Sequence, residues 1–292
     1  MQNTQKQAYK FAILSVVLWS TVATAFKISL QYLAPIELLF YSSISSLFIL
    51  LIILIYQKKL DQVYSHIKKN LLMVLILGAI NPFAYYFVLF KAYDLLSAQE
   101  AQAINYTWAL ILAYMGVIFL KHKLTKGDIL AGFICYFGVF IIATKGDIFA
   151  FELSNTLGIL LALLSTLLWS LYWIFNAKVK VDAVVGLFSN FLIGVILIGI
   201  FISLTTTINI PNIQASFAAI YVGFFEMGIT FVFWLQAVKL TSNIAKISNL
   251  IFLSPFLSLV FIHFFVGEKI LISTIVALSL IVFGLIVQQK VK

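Results

Sequence analysis

Arginine is absent from this sequence, and charge of either sign is scarce: Lys, Asp and Glu make up only 10% of 292 residues. A water-soluble domain carries roughly a quarter of its residues as charged side chains. This chain cannot keep a whole surface hydrated. The lone cysteine, Cys135, excludes an intrachain disulfide and lies in an apolar run, where it reads as a small core residue. The three histidines, His66, His122 and His263, are scattered over loops and a helix end, which argues against a clustered metal site. No His-Glu-x-x-His, no Gly-x-Ser-x-Gly elbow and no Walker phosphate loop occurs, so the residues carry no enzyme signature. Without a nucleotide-binding loop, ATP is excluded as a direct energy source. No cofactor is expected. Nucleic acid is not expected as a partner either, because its recognition needs basic residues clustered on a hydrated face. Here the lysines sit between apolar runs.

What the chain does have is hydrophobicity: 63% of it is apolar, with a mean hydropathy of +1.10. Its solvent is therefore chiefly lipid. A helix crossing the hydrocarbon needs about twenty mostly apolar residues. Ten such spans are expected, near 10–30, 35–56, 70–91, 97–119, 127–144, 155–177, 183–204, 213–237, 241–265 and 270–288. Membrane strands would alternate polar and apolar residues, whereas Leu47–Ile55 and Leu192–Ile202 are apolar all round. Lysine placement sets the orientation. With a cytoplasmic N-terminus, fourteen lysines fall inside (6, 10, 58, 59, 68, 69, 121, 123, 126, 178, 180, 239, 290, 292) and two outside (145, 269). Both termini are then expected in the cytoplasm of a plasma membrane, the inner membrane if the cell is bacterial. The first apolar stretch follows Lys6 and Lys10 as a signal peptide would, but it is too long and lacks a small-x-small exit. It reads as a mature span.

The run Leu14–Ser20 (LSVVLWS) recurs as Leu164–Ser170 (LSTLLWS). Leu96–Asn105 parallels Leu240–Asn249, and Phe137-Gly138 parallels Phe283-Gly284. The expectation is an all-α integral membrane protein of ten transmembrane helices, built as two inverted five-helix repeats, 1–150 and 151–292. An odd number of spans per copy turns the second upside down, which places a site near the midplane and suits alternating access.

These repeats, the L-x-x-x-L-W-S opening and the segment Phe265-Val266-Gly267-Glu268-Lys269 resemble the drug/metabolite transporter superfamily, EamA type. The resemblance implies a ten-helix transporter of amino acids, nucleobase derivatives, cofactors or drugs, often an exporter. It also implies a cavity lined chiefly by spans one, three, four, six, eight and nine. The chain departs from the family pattern at Ser42, where Arg is common, at Lys121-His122, where Gly-Glu is common, and at Ala109, where Pro is common; Pro255 is retained in span nine.

Glu226 is the most informative side chain, since a carboxylate within a span costs several kcal/mol unless paired, hydrated or protonated. It reads as a partner for a substrate amine or as a proton-coupling group. The alternative is a neutral Glu used as interhelical glue. The repeat puts Asn81 at the equivalent depth, beside Pro82. Lys246 either faces the cavity or snorkels to the surface. Gln102, Asn105 and Tyr106 fall within about one turn of span four, and Asn249 is the repeat partner of Asn105. Trp19 and Trp169 lie mid-span. Trp169, Trp173 and Asn176 share helical spacing, and Tyr85 follows Pro82. Such aromatics form either a cage for a cationic or planar solute or ordinary bundle packing. The partners expected are a small amino-acid-like or amphiphilic solute, the lipid bilayer and a candidate coupling proton. Sequence leaves monomer and homodimer open. A passive channel and a membrane-embedded lipid-modifying enzyme are the alternative functions.

Overall fold

The computed structural model describes residues 2–121, 123–149, 153–208, 210–241, 247 and 249–290. Among these no strand occurs, and fourteen α-helices follow in order. The first half contains α1 (Gln2–Ser20), α2 (Val22–Ser29), α3 (Pro35–Tyr56), α4 (Leu60–Gly78), α5 (Tyr85–Leu95), α6 (Ala98–Asn105), α7 (Trp108–Leu120) and α8 (Lys126–Ala143). The second contains α9 (Thr156–Asn176), α10 (Ala183–Thr205), α11 (Ile213–Tyr221), α12 (Ile229–Leu240), α13 (Ser254–Phe261) and α14 (Ile272–Lys290).

Several of these are pieces of longer rods. Eight helical stretches are long and apolar enough to cross a membrane, among them Thr4–Ser29, Leu60–Leu95 and Ile213–Leu240. Leu250–Val266 and Ile272–Gln288 are shorter apolar helices. Where ten spans are expected, eight full-length stretches and two shorter apolar helices are found among the described residues. Part of the ninth, 242–246 and 248, lies outside the described residues. The third span also departs from expectation: its helix begins ten residues early, at Leu60, with a break at Asn70 (φ −128°).

Polar residues at the connections start the helices. Ser97 and Thr125 accept hydrogen bonds from the backbone N–H groups of Glu100 and Asp128, whose carboxylates reach back in return. Asn155, Asp182 and Asn212 cap the helices that follow them. Large apolar side chains such as Phe48, Phe133, Leu204 and Phe217 cover the outside of the bundle. In water such a surface would aggregate; in lipid it is simply solvated.

Small residues let the rods approach closely, as is usual where lipid supplies no hydrophobic drive between helices. One example joins α8 to α14. A Cβ on Gly138 would stand 2.8 Å from Ala277 O, and one on Gly284 would stand 2.6 Å from Cys135 Sγ. These are the two glycines of the Phe-Gly sequence match. Other features also recur at matched places. A π-helical turn interrupts span three at Ala79–Ala84 and span eight at Val222–Glu226. Span four ends on Lys121 and span nine on Gly267, both in the left-handed conformation.

Candidate functional site

The breaks in the rods lead to the site. In a membrane, irregular backbone survives only where its freed polar groups find partners or line a cavity. Around the second π turn they find side chains. Ser46 Oγ donates to Met227 O at 2.9 Å, and Thr230 Oγ1 donates to Phe225 O. Glu226 closes that turn. Its Oε1 accepts the hydroxyl of Tyr86 at 3.2 Å, while Oε2 is buried with no hydrogen-bond partner. Tyr86 belongs to the first half and is fully buried, so this contact bridges the halves.

From Tyr86 a run of rings crosses the bundle. Tyr86 meets Tyr85 with centroids 4.7 Å apart, and Tyr85 stacks on Trp169 at 4.6 Å and 28°. Trp169 touches Tyr172 and Trp173 on its own helix and Phe231 on α12. Phe231 packs in turn on Trp19, which also contacts Trp234. Trp19, Tyr85, Trp169 and Trp173, chosen in the sequence as possible cage members, therefore form one cluster. It joins α1, α5, α9 and α12.

The polar candidates flank this cluster at two ends. At the Glu226 end, Asn105 Nδ2 donates to Ser165 Oγ at 2.9 Å, one turn before Trp169. Asn105 also lies beside Tyr85, and Tyr106 lies beside Ser254. At the far end, Asn81 sits in the first π turn with extended backbone (φ −139°, ψ 117°), buried beside Tyr172. Asn190 Nδ2 donates to the same Tyr172 hydroxyl at 3.4 Å. Asn81 Oδ1, Asn190 Oδ1 and Trp173 Nε1 are buried without partners. An unpaired buried polar atom is costly, and with Glu226 Oε2 these make four such atoms near the ring cluster.

Four further candidates are not tied to the cluster by any such contact among the described residues. Among the described residues, no ring or hydrogen-bond contact joins Gln102 or Asn176 to it. Gln102 is buried on α6, and Asn176 is half-buried at the end of α9, a turn past the aromatic face. Lys246 and the side chain of Asn249 lie outside the described residues. The sequence reading missed Asn190, Phe231 and Trp234. Asn190 carried a usable signal, being polar in an otherwise apolar span. Phe231 carried none in a chain with 28 phenylalanines.

Away from the bundle centre, Lys59 Nζ donates to Asp182 Oδ2 at 2.6 Å, linking the α3–α4 and α9–α10 connections. Partial burial alone would push the Asp182 carboxyl up. The Lys59 contact and the N–H groups of Val184 and Val185 outweigh it and hold the pKa below the usual carboxylate value.

The model of the EamA-like transporter family matches residues 6–144 and again 156–288. The chain is 24% identical over 254 residues to the uncharacterized transporter YyaM of Bacillus subtilis (strain 168), covering 83% of this chain and 80% of that protein. It is 27% identical over 174 residues to an uncharacterized transporter in the sor 3' region of Acidianus ambivalens, covering 58% and 66%. A solved structure described only as the crystal structure of a protein superimposes with a TM-score of 0.69, covering 97% of this chain and 96% of that one. At 19% identity that likeness concerns the fold alone.

Proposed function

This multi-pass membrane chain belongs to the EamA-like transporter family, and from that premise we propose that it is a secondary transporter exporting a small amino-acid-like or related amphiphilic metabolite across the plasma membrane. Residues 1–150 and 151–292 are two inverted five-helix repeats, with both termini in the cytoplasm. The halves rock about the aromatic cluster to expose it to each side in turn. Two matches to one family model, matched π turns and matched left-handed helix ends support the repeat reading.

One observation carries the site: Glu226 holds a Tyr86 hydroxyl with one oxygen and keeps the other unpartnered inside the bundle. A carboxylate so placed suits a solute ammonium or a coupling proton. The ring faces of Tyr85 and Trp169 suit the apolar or cationic body of the solute. Asn81 and Asn105 add polar groups at either end of the stack, with Tyr106 beside the second.

The test is reconstitution. Purified protein is screened against metabolites by ligand-induced thermal shift, and the solutes that stabilise it are then followed in liposomes. Saturable uptake with counterflow supports a carrier. Uptake that stays linear with concentration and shows no counterflow would identify a passive facilitator instead.

A further inference from the structure

The connection between α5 and α6 is only two residues long, Leu96-Ser97, and two charged side chains brace it. Lys27 Nζ, from the last turn of α2, donates to Tyr93 O at 2.8 Å and Leu96 O at 2.7 Å. These are carbonyls at the end of α5. Glu268, from the second half of the chain, accepts the N–H of Ala98 at 2.7 Å through Oε1 and the N–H of Gln99 at 3.4 Å through Oε2. A cation thus sits on a helix C-terminus and a carboxylate on a helix N-terminus, the signs each end favours. Gln99 ties the same seam further. Its Oε1 accepts from Thr274 Oγ1 at 2.6 Å, and its Nε2 donates to Lys269 O at 3.0 Å.

The sequence match puts different residues at the counterpart of Glu268. In the repeat match, Lys121-His122 stand where Gly267-Glu268 stand. Lys121 shares the left-handed turn of Gly267, but no carboxylate follows it. Lys178, one residue past the match to Lys27, is exposed with its ammonium 5.5 Å from the Phe175 ring centroid. In sequence the counterpart of Glu268 is His122; it and residues 242–246, which match the start of α6, lie outside the described residues.

We propose that Lys27 and Glu268 are positioning residues that form a latch. It holds the α5–α6 face closed at rest and releases once per transport cycle. Its place in a cycle rests on the transporter reading above; the closure itself needs no substrate. Opening that face pulls α13 and the Gly267 turn away from α6, which breaks the Glu268 contacts. The resting protein is thereby biased toward access from the side away from α5–α6.

Ser258 is the reporter position. It is buried on α13, a helix that packs against α2 and α6. In a Cys135→Ser, Ser258→Cys background, the rate of modification by a membrane-impermeant methanethiosulfonate is measured from each side of oriented vesicles. Glu268→Gln and Lys27→Met each raise the rate from the α5–α6 side roughly tenfold, as loss of charge-assisted bonds implies, and Glu268→Asp falls between. Unchanged rates in both variants overturn the latch. So does an equal rise from both sides, which signals general loosening. A one-sided rise in a protein that transports nothing would keep the latch and remove the carrier. Saturable transport with unaltered labelling would do the reverse.

Discussion

Tyr86 and Glu226 are 140 residues apart in the chain and meet through a hydrogen bond of 3.2 Å, so the carboxylate of the second half is held by a phenol of the first. Glu226→Gln keeps the size of the side chain and removes its charge. It is expected to abolish transport or uncouple it from a proton gradient while leaving folded protein in the membrane. Liposome uptake at two external pH values is the measurement. Unchanged uptake with unchanged pH response removes Glu226 from the mechanism. Tyr86→Phe deletes one donor to the carboxylate and is expected to cost less, about tenfold in rate.

Trp169 is the hub of the ring cluster, touching Tyr85, Tyr172, Trp173 and Phe231. Trp169→Ala is expected to weaken ligand-induced stabilisation by roughly tenfold in apparent affinity, in line with the loss of an aromatic wall. Trp169→Phe preserves the packing and much of the ring face, so it should fall between. An alanine variant that binds its ligand as tightly as the parent protein assigns this ring to packing alone.

The glycines offer a packing test with an internal control. Gly284→Val drives a side chain into Cys135 Sγ across the α8–α14 seam and is expected to destabilise by about 1–3 kcal/mol. A Cβ on Gly199 would meet nothing within 4 Å. Gly199→Ala should therefore be neutral or stabilise by up to about 1 kcal/mol, since alanine favours helix. Thermal unfolding in detergent compares the two.

The Asp182 carboxyl titrates below its usual value in the folded protein. A depressed folded pKa means that the stabilisation is fully present above the unfolded value and fades as pH falls through the folded one. The Lys59–Asp182 pair therefore contributes at neutral pH and is lost only in strong acid. Both partners are about 30% exposed (30% and 32%), and screening keeps the contribution below about 1 kcal/mol. Asp182→Asn should lower the unfolding temperature slightly at pH 7. Near pH 3 the two proteins should approach one another.

Orientation has its own test. Amine-reactive impermeant reagents should reach Lys121 and Lys178 from the same side of oriented vesicles, and Lys145 and Lys269 from the other. Labelling of Lys121 and Lys178 from opposite sides would dismantle the inverted-repeat reading.

Much of this was legible in the sequence, because lipid imposes strong rules. Long apolar runs name helices, and a carboxylate inside one, such as Glu226, stands out by its cost. The rings Trp19, Tyr85, Trp169 and Trp173 were legible as residues, and their union was not. Phe231, which bridges Trp169 to Trp19, looks like any other lipid-facing phenylalanine. The early start of α4 at Leu60 was hidden because its first turns are polar enough to read as loop, and only the break at Asn70 separates them from the span. Gln102 and Asn176 make no ring or hydrogen-bond contact with the cluster among the described residues. Helical spacing gives the face within one element, but not which neighbours that face meets.

Span three breaks at Asn81, whose extended backbone precedes Pro82, and span eight breaks at a π turn that ends on Glu226. Proline has no N–H, so the first break leaves a carbonyl without the partner a regular helix would give it. A tilt of one rod segment against the other at either break would therefore re-aim a polar side chain, Asn81 in one rod and Glu226 in the other.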